Sequence, residues 1–149
     1  MIITFCGHSS FNSAHEYEQK LLSLLQELIG DEQAELYLGE YGEFDSFAYE
    51  CCQKFKSTHP NVKLIFVTPY ISTEYQKKHL EYQKDRYDQI IYPPLENVPS
   101  KFAISRRNKW MVQQADLIIA YISHDWGGAY KTFKYAERQG KKTFNLYTQ

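Results

Sequence analysis

The sequence predicts an α/β fold, a three-layer domain whose mainly parallel sheet has five to six strands. Short apolar runs alternate with amphipathic helical patterns along the whole chain, and this alternation is typical of parallel sheets covered by helices on both faces. Glycine-containing turns follow several of the apolar runs, as in folds that bind ligands at the carboxyl ends of their strands. The 149 residues fit one domain, residues 1–149.

The first strand is predicted at residues 2–6, an apolar run that ends at Gly7 and His8. Ser13 and Glu16 then have the spacing of a capping box, which predicts the start of the first helix. Leucines at helical spacing continue that helix to a glycine.

The second strand, residues 35–39, leads into the turn around which we expect the site to be built. Gly39 and Gly42 lie three residues apart and enclose Glu40 and Tyr41. The turn lacks the G-x-G-x-x-G pattern of dinucleotide-binding proteins. A helix follows, and its buried face is predicted by apolar spacing. The residues of that face are Phe44, Phe47, Ala48, Cys51, Cys52 and Phe55.

The second half of the chain repeats the alternation. Residues 62–68 are almost unbroken apolar and predict a strand buried on both faces, which Pro69 ends. Further strands are predicted at 89–92, 117–122 and 143–147, and helices at 72–87, at 101–114 and from Gly127-Gly128 to Gly140. The predicted core residues of the strands are Phe5, Leu38, Ile65, Phe66, Ile118, Ile119 and Phe144.

Composition narrows the class of protein. Apolar residues make up 43% of the chain, which excludes a disordered chain, and no apolar run is long enough to cross a membrane. The start lacks the basic lead of a signal peptide. The three cysteines lack metal-ligand spacing, and helical phase predicts two of them to be buried. We therefore expect a reduced, cytoplasmic protein without a metal site, a cofactor or a membrane partner.

Charge is distributed unevenly along the chain. Residues 1–50 hold one Lys and ten Asp or Glu, whereas residues 101–149 hold nine Lys or Arg and three acidic residues. Either solubility alone explains this, or the site has two sides of opposite sign, or two subunits pair through complementary charge. No basic run is interleaved with aromatic residues, and the isoelectric point is near 6.5. On these grounds we expect no nucleic acid as a partner.

The carboxyl ends of the predicted strands define a candidate ligand site. Gly127 and Gly128 begin a helix and offer unpaired N–H groups to a phosphate, with Lys131 in the first turn; alternatively, the pair is only a turn. The carboxylates of Glu40 and Asp45 would repel a phosphate and suit sugar hydroxyls, a base amine or proton transfer; alternatively, Asp45 only caps its helix. The candidate catalytic residues are Glu40, Asp45 and Arg107. The candidate ligand-binding residues are Gly7, His8, Gly39, Tyr41, Gly42, Pro69, Arg107, Asn108, Gly127, Gly128, Lys131 and Thr132.

Three segments resemble a bacterial branch of the SLOG superfamily, which groups the DprA/Smf proteins with the LOG proteins. They are residues 37–48 (YLGEYGEFDSFA), residues 107–121 (RNKWM, then ADLIIAY) and residues 127–146 (GGAYKT, then YA, GK and NL). The resemblance implies a Rossmann-like fold, nucleotide or nucleotide-derived ligands, and a homodimer. It covers most of the chain except about residues 70–100.

LOG enzymes hydrolyse the N-glycosidic bond of nucleoside monophosphates with an arginine and a glutamate. Arg107 and Met111 match the arginine motif, but Thr132 is followed by Phe-Lys-Tyr without the glutamate of the family pattern, and Glu137 is displaced. The resemblance thus favours a sensor or binding module for a nucleotide or an ADP-ribose-like ligand. The alternatives are a LOG-like N-glycosidase or glycosyl-transferring enzyme, and an interaction protein with a degenerate pocket.

Two arginines begin the second motif. Arg107 is expected to bind a phosphate through its guanidinium, opposite the N–H groups of Gly127 and Gly128. Arg106 and Arg107 could instead form an ordinary solvated helix face. Under the phosphate hypothesis, Arg107→Ala is expected to weaken binding and to leave folding nearly intact.

Overall fold

The computed structural model describes residues 1–69, 74, 78 and 80–147 of the chain. Its centre is a six-stranded parallel sheet in the order β4-β3-β2-β1-β5-β6. The strands are β1 (Ile2–Gly7), β2 (Ala34–Leu38), β3 (Val62–Val67), β4 (Gln89–Ile91), β5 (Leu117–Tyr121) and β6 (Lys142–Asn145). Every strand pair is parallel, which confirms the predicted Rossmann-like α/β fold.

Helices connect the strands. They are α1 (Ala14–Ile29), α2 (Glu43–Thr58), the short α3 (Glu81–Lys84), α4 (Ala103–Gln114, after a 3-10 turn at Ser100–Phe102) and α5 (Gly128–Arg138). The first two helices cover one face of the sheet, and α4 and α5 cover the other. Each central strand therefore alternates its side chains between two apolar cores.

The alternation is visible in β1 and β5. Ile3 and Phe5 join the core under α1 and α2 with Leu117 and Ile119. Cys6, which follows Phe5, and Ile118, which lies between Leu117 and Ile119, join the core under α4 and α5. The strands are buried on both faces, as their continuous apolar runs predict.

The strand order reverses beside β1. The chain adds β2, β3 and β4 on one side of β1, then returns to place β5 and β6 on the other. β5 pairs with β1 over its whole length, from Leu117 opposite Ile3 to Tyr121 opposite Gly7. The connections leave these two strands in opposite directions, which opens a crevice at their carboxyl ends.

Most of the predicted elements and core residues are confirmed, with local differences. Phe144 is half-buried because β6 is an edge strand. The last strand ends at Asn145, two residues before the predicted end. Of the predicted helix 72–87, residues 72, 73, 75–77 and 79 lie outside the described residues, and Glu81–Lys84 is helical.

The predicted capping box is wrong. Ser13 is the N-cap of α1, but its side chain makes no capping hydrogen bond. Its backbone carbonyl accepts from the Glu16 N–H at 3.0 Å and from the Tyr17 N–H at 3.1 Å. The Ser13 side chain instead interacts with Tyr121 at the end of β5, so a tertiary contact replaces the local one.

Among the residues that the structure describes, no helix has the length and apolar character needed to cross a membrane.

Candidate functional site

A cavity of about 210 Å³ lies in the crevice at the carboxyl ends of β1 and β5. Its walls include the turns before α2 and α5 and one side of α4. Eight of the predicted site residues line it, and these are Gly7, His8, Tyr41, Asp45, Asn108, Gly127, Gly128 and Thr132. Sequence reasoning therefore located the crevice, because the carboxyl ends of parallel strands meet at one edge of the sheet.

Two turns of nearly identical geometry flank the cavity. Gly42 precedes α2 with φ 98° and ψ 172°, and Gly127 precedes α5 with φ 94° and ψ 175°. Both conformations favour glycine because a Cβ atom is strained at such positive φ. Neither helix receives a side-chain cap. The first N–H of α2, that of Glu43, donates to the Ser9 carbonyl at 2.9 Å, whereas the first N–H groups of α5 stay available to another acceptor.

The two turns differ in charge. The first turn of α2 carries Glu43 and Asp45, whereas the first turn of α5 has no acidic residue. An anion is therefore favoured at α5, where the helix dipole acts without an opposing carboxylate. A neutral hydrogen-bonding group fits better beside Asp45.

Asp45 is buried in the wall of the cavity, with only 9% of its surface exposed. Its Oδ2 accepts a hydrogen bond of 2.8 Å from the backbone N–H of Tyr41. Burial raises the pKa of this carboxyl from its ordinary value of 3.8 to about 6, against the opposing effects of that hydrogen bond and of Arg107. The group can thus exchange a proton near neutral pH.

Glu40 points away from the cavity. Its carboxylate accepts hydrogen bonds from Gln83 at 3.0 Å and from the Tyr87 hydroxyl, and it pairs with Arg86 at 2.9 Å. Its backbone is left-handed, with φ 54°, a conformation that is strained for a residue with a side chain. Glu40 fixes the glycine turn to α3 and to the residues that follow it, and its predicted catalytic role stays a prediction.

Arg107 is fully buried, with 0% of its surface exposed. Its Nη1 donates to the carbonyl of Gly39 at 2.8 Å and to the carbonyl of Val67 at 2.9 Å, and its Nε donates to Asn108 Oδ1. The solvated helix face considered for Arg106 and Arg107 is excluded for Arg107. The guanidinium holds the ends of β2 and β3 and does not line the cavity; direct phosphate binding by Arg107 stays a prediction.

A column of three stacked rings forms another part of the wall. His8 stacks on His124 at 3.5 Å between ring centroids, and His124 stacks on Trp126 at 3.8 Å. His8 Nε2 accepts from the Ser123 N–H at 2.9 Å. Burial, followed by the neighbouring His124, lowers the pKa of His8, which keeps this nitrogen free to accept.

Sequence reasoning missed His124 and Trp126 as individual residues of the site. The signal available was their place between the end of a buried strand and a Gly-Gly helix start. His124 Nδ1 is buried without a hydrogen-bond partner among the described residues. The cost of leaving a polar atom unpaired favours a ligand or a rearrangement of the loop at this point.

The remaining predicted site residues lie outside the cavity wall. Gly39 packs against Arg107, where an added Cβ would lie 2.8 Å from the guanidinium carbon. Pro69 is buried at the end of β3, and Lys131 is exposed on α5. Their roles in ligand binding stay predictions.

The fold and the crevice define a Rossmann-like domain with a candidate ligand site where the strand order reverses. No protein-family model matches the chain. A UPF0398 protein of Halalkalibacterium halodurans is 27% identical over 121 residues, which cover 76% of this chain and 60% of that protein. The chain thus spans less than two thirds of the length of this relative.

Solved structures of DNA processing protein A (DprA) share the fold. The Helicobacter pylori protein superposes with a TM-score of 0.66 at 18% identity, over 100% of this chain and 66% of its own. The Streptococcus pneumoniae protein gives a TM-score of 0.66 at 17% identity, over 96% of this chain and 49% of its own. These likenesses confirm the Rossmann-like fold, and they fit the resemblance to the SLOG superfamily.

The comparison corrects one prediction. The absence of a basic, aromatic-rich run led us to expect no nucleic acid as a partner, yet the H. pylori DprA with this fold binds single-stranded DNA. The absence of such a run from this sequence therefore does not exclude nucleic acid as a partner. The predicted homodimer and cytoplasmic location are not decided by these likenesses.

Arg107→Ala is expected to destabilise the fold by about 3 kcal/mol, because it leaves the buried carbonyls of Gly39 and Val67 without their donor and opens a cavity. This replaces the sequence-based expectation of nearly intact folding. Arg106→Ala, at an exposed position of the same helix, should change the stability by less than about 0.5 kcal/mol. Urea unfolding of both variants measures the difference in the free energy of unfolding. Equal small losses of stability would contradict the structural role of the Arg107 hydrogen bonds.

Asp45→Asn tests the buried carboxyl. The pKa of Asp45 is raised in the folded state. Its contribution to the stability of the wild-type protein is therefore fully present below pH 3.8 and is lost as the pH rises through about 6. This difference corresponds to about 3 kcal/mol relative to the Asn variant, which carries no such titration. The measurement is the free energy of unfolding of both proteins from pH 4 to 8; parallel profiles would mean that the Asp45 pKa is ordinary.

Proposed function

We propose that the protein binds a nucleotide, or a nucleotide-derived ligand such as ADP-ribose, in the crevice at the ends of β1 and β5. The observation that carries this proposal is the pairing of two glycine-led helix starts of like geometry and unlike charge across one cavity. A nucleotide has the matching pair of groups, an anionic phosphate and a neutral sugar.

The charges give the ligand an orientation. The phosphate lies at the first turn of α5, where Gly127 and Gly128 present backbone N–H groups without a neighbouring acidic side chain in that turn. The sugar hydroxyls lie toward Asp45 and Asn108, whose side chains can accept and donate hydrogen bonds. A phosphate beside Asp45 would be repelled once that carboxyl ionises.

Turnover is a second candidate function, and Asp45 is the observation that favours it. A buried carboxyl with a pKa of about 6 can act as a general acid or base near neutral pH. A LOG-like N-glycosidase would use it beside the glycosidic bond. Glu40, the other carboxylate considered for this role, is already engaged by Gln83, Arg86 and Tyr87.

Single-stranded nucleic acid is the other ligand class to test, because the H. pylori DprA with the same fold binds single-stranded DNA. A terminal nucleotide of a strand carries the same sugar and phosphate as a free nucleotide. The crevice is open to solvent at the rings of Tyr41 and Trp126, which are 58% and 67% exposed. A strand could therefore leave the site on that side.

Substitutions at Gly128 test the proposed phosphate position. An added Cβ at Gly128 meets no atom within 4 Å, so a side chain fits there without displacing its surroundings. Gly128→Asp places a carboxylate at the start of α5 and is expected to weaken nucleotide binding by about 1–3 kcal/mol through repulsion. The near-isosteric, uncharged Gly128→Asn is the matched control and should bind nearly as well as wild type.

Calorimetric titration with AMP, ADP-ribose and a short single-stranded oligonucleotide distinguishes the candidate functions. Nucleotide binding that Gly128→Asp weakens and Gly128→Asn retains supports the proposal. Equal nucleotide binding by both variants would show that the phosphate does not lie at the start of α5. Release of free base would establish turnover, binding of the oligonucleotide alone would favour the nucleic-acid function, and no binding at all would leave an interaction protein.

A further inference from the structure

The two turns that flank the cavity share one more feature. Tyr41 directly precedes Gly42, and Trp126 directly precedes Gly127. Each aromatic residue thus occupies the same place before a glycine-capped helix, lines the cavity and is more than half exposed. Exposed aromatic rings at the mouth of a crevice are costly in water and are typical of binding surfaces.

The surroundings leave ring surface free for stacking. Trp126 packs one face on His124, at the outer end of the column that starts at His8. Tyr41 has no aromatic partner among the described residues. The rest of the wall combines apolar side chains of the sheet and of α4 with short polar side chains such as Ser9, Ser10 and Thr132.

The size of the cavity limits what it can enclose. Its volume of about 210 Å³ is below the range of roughly 300–1,000 Å³ that is usual for pockets that enclose a whole small-molecule ligand. A sugar and a phosphate fill a space of this size. The base of the same nucleotide must then lie at the mouth.

We infer that the base of the ligand lies outside the cavity and stacks on the exposed rings of Tyr41 and Trp126, so that the site selects the sugar-phosphate and accepts any base. This inference rests on the proposed function and specifies its ligand class. Stacking is tolerant of sequence because every base has a π face. A site that reads base edges would instead need hydrogen-bonding groups around a buried base.

The test compares ligands with and without a base. AMP, GMP, CMP and UMP are expected to bind within about tenfold of one another. Tyr41→Ala and Trp126→Ala should each weaken the binding of these nucleotides by about 5- to 150-fold. Both variants should bind ribose 5-phosphate as wild type does, because this ligand has no base to stack. Tyr92→Ala, at an exposed aromatic position that does not line the cavity, is the matched control and should change nothing.

Fluorescence gives an independent measurement. The chain has two tryptophans, and Trp110 stacks on Tyr37 on the covered face of the sheet. In a Trp110→Phe protein the emission comes from Trp126 alone. Each mononucleotide should quench this emission. Ribose 5-phosphate, whose binding is followed separately by calorimetry, should cause little quenching.

The outcomes separate this inference from the proposed function. A preference of more than about 100-fold for one base, or an equal loss of ribose 5-phosphate binding in the Ala variants, would overturn base stacking and leave nucleotide binding intact. Nucleotide binding that neither Ala variant weakens would do the same. No binding of any of the five ligands to the wild-type protein would overturn both.

Discussion

The site depends on the buried guanidinium of Arg107, which holds the ends of β2 and β3 next to the cavity. Arg107 is fully enclosed, and it donates to the carbonyls of Gly39 and Val67, where β2 and β3 end. A guanidinium stays protonated at any physiological pH, so its burial is tolerated only where acceptors surround it. Carbonyl groups at the ends of parallel strands have no further ladder partner and can supply them. The same contact leaves no room for a side chain at Gly39, and it thereby sets the path of the acidic turn that follows.

From that turn two carboxylates diverge. Glu40, held in a left-handed conformation, reaches α3 and the residues that follow it, while Asp45 turns into the cavity and accepts the N–H of Tyr41. The partners of Glu40 hold the turn in place, and burial raises the pKa of Asp45 to about 6. Across the cavity, the turn before α5 has the same backbone shape, and the first turn of α5 carries no carboxylate. The same glycine turn thus precedes both helices, but only the first turn of α2 carries carboxylates, and this difference gives the crevice two chemically distinct ends. A nucleotide ligand would use both.

Local patterns were enough to predict the sheet, the helices and the crevice. Apolar runs and helical spacing depend on near neighbours, and parallel topology then brings Gly7, Asp45 and Gly127 to one edge. The destinations of Glu40 and Arg107 were not predictable in the same way. Arg107 contacts a carbonyl 68 residues away, and Glu40 contacts residues more than 40 positions later. Charged residues are rarely buried, so spacing alone could not assign Arg107 to an enclosed face. The ring column of His8, His124 and Trp126 likewise forms only after β1 and β5 pair.

The central claim is that the two turns receive opposite ends of one nucleotide, and a crystal structure with bound AMP tests it most directly. The account predicts phosphate oxygens within hydrogen-bond distance of the Gly128 N–H, ribose hydroxyls toward Asp45 and Asn108, and the adenine ring at the mouth of the crevice. Phosphate oxygens directly against Asp45 with no metal ion between them, or AMP bound away from the ends of β1 and β5, would contradict it.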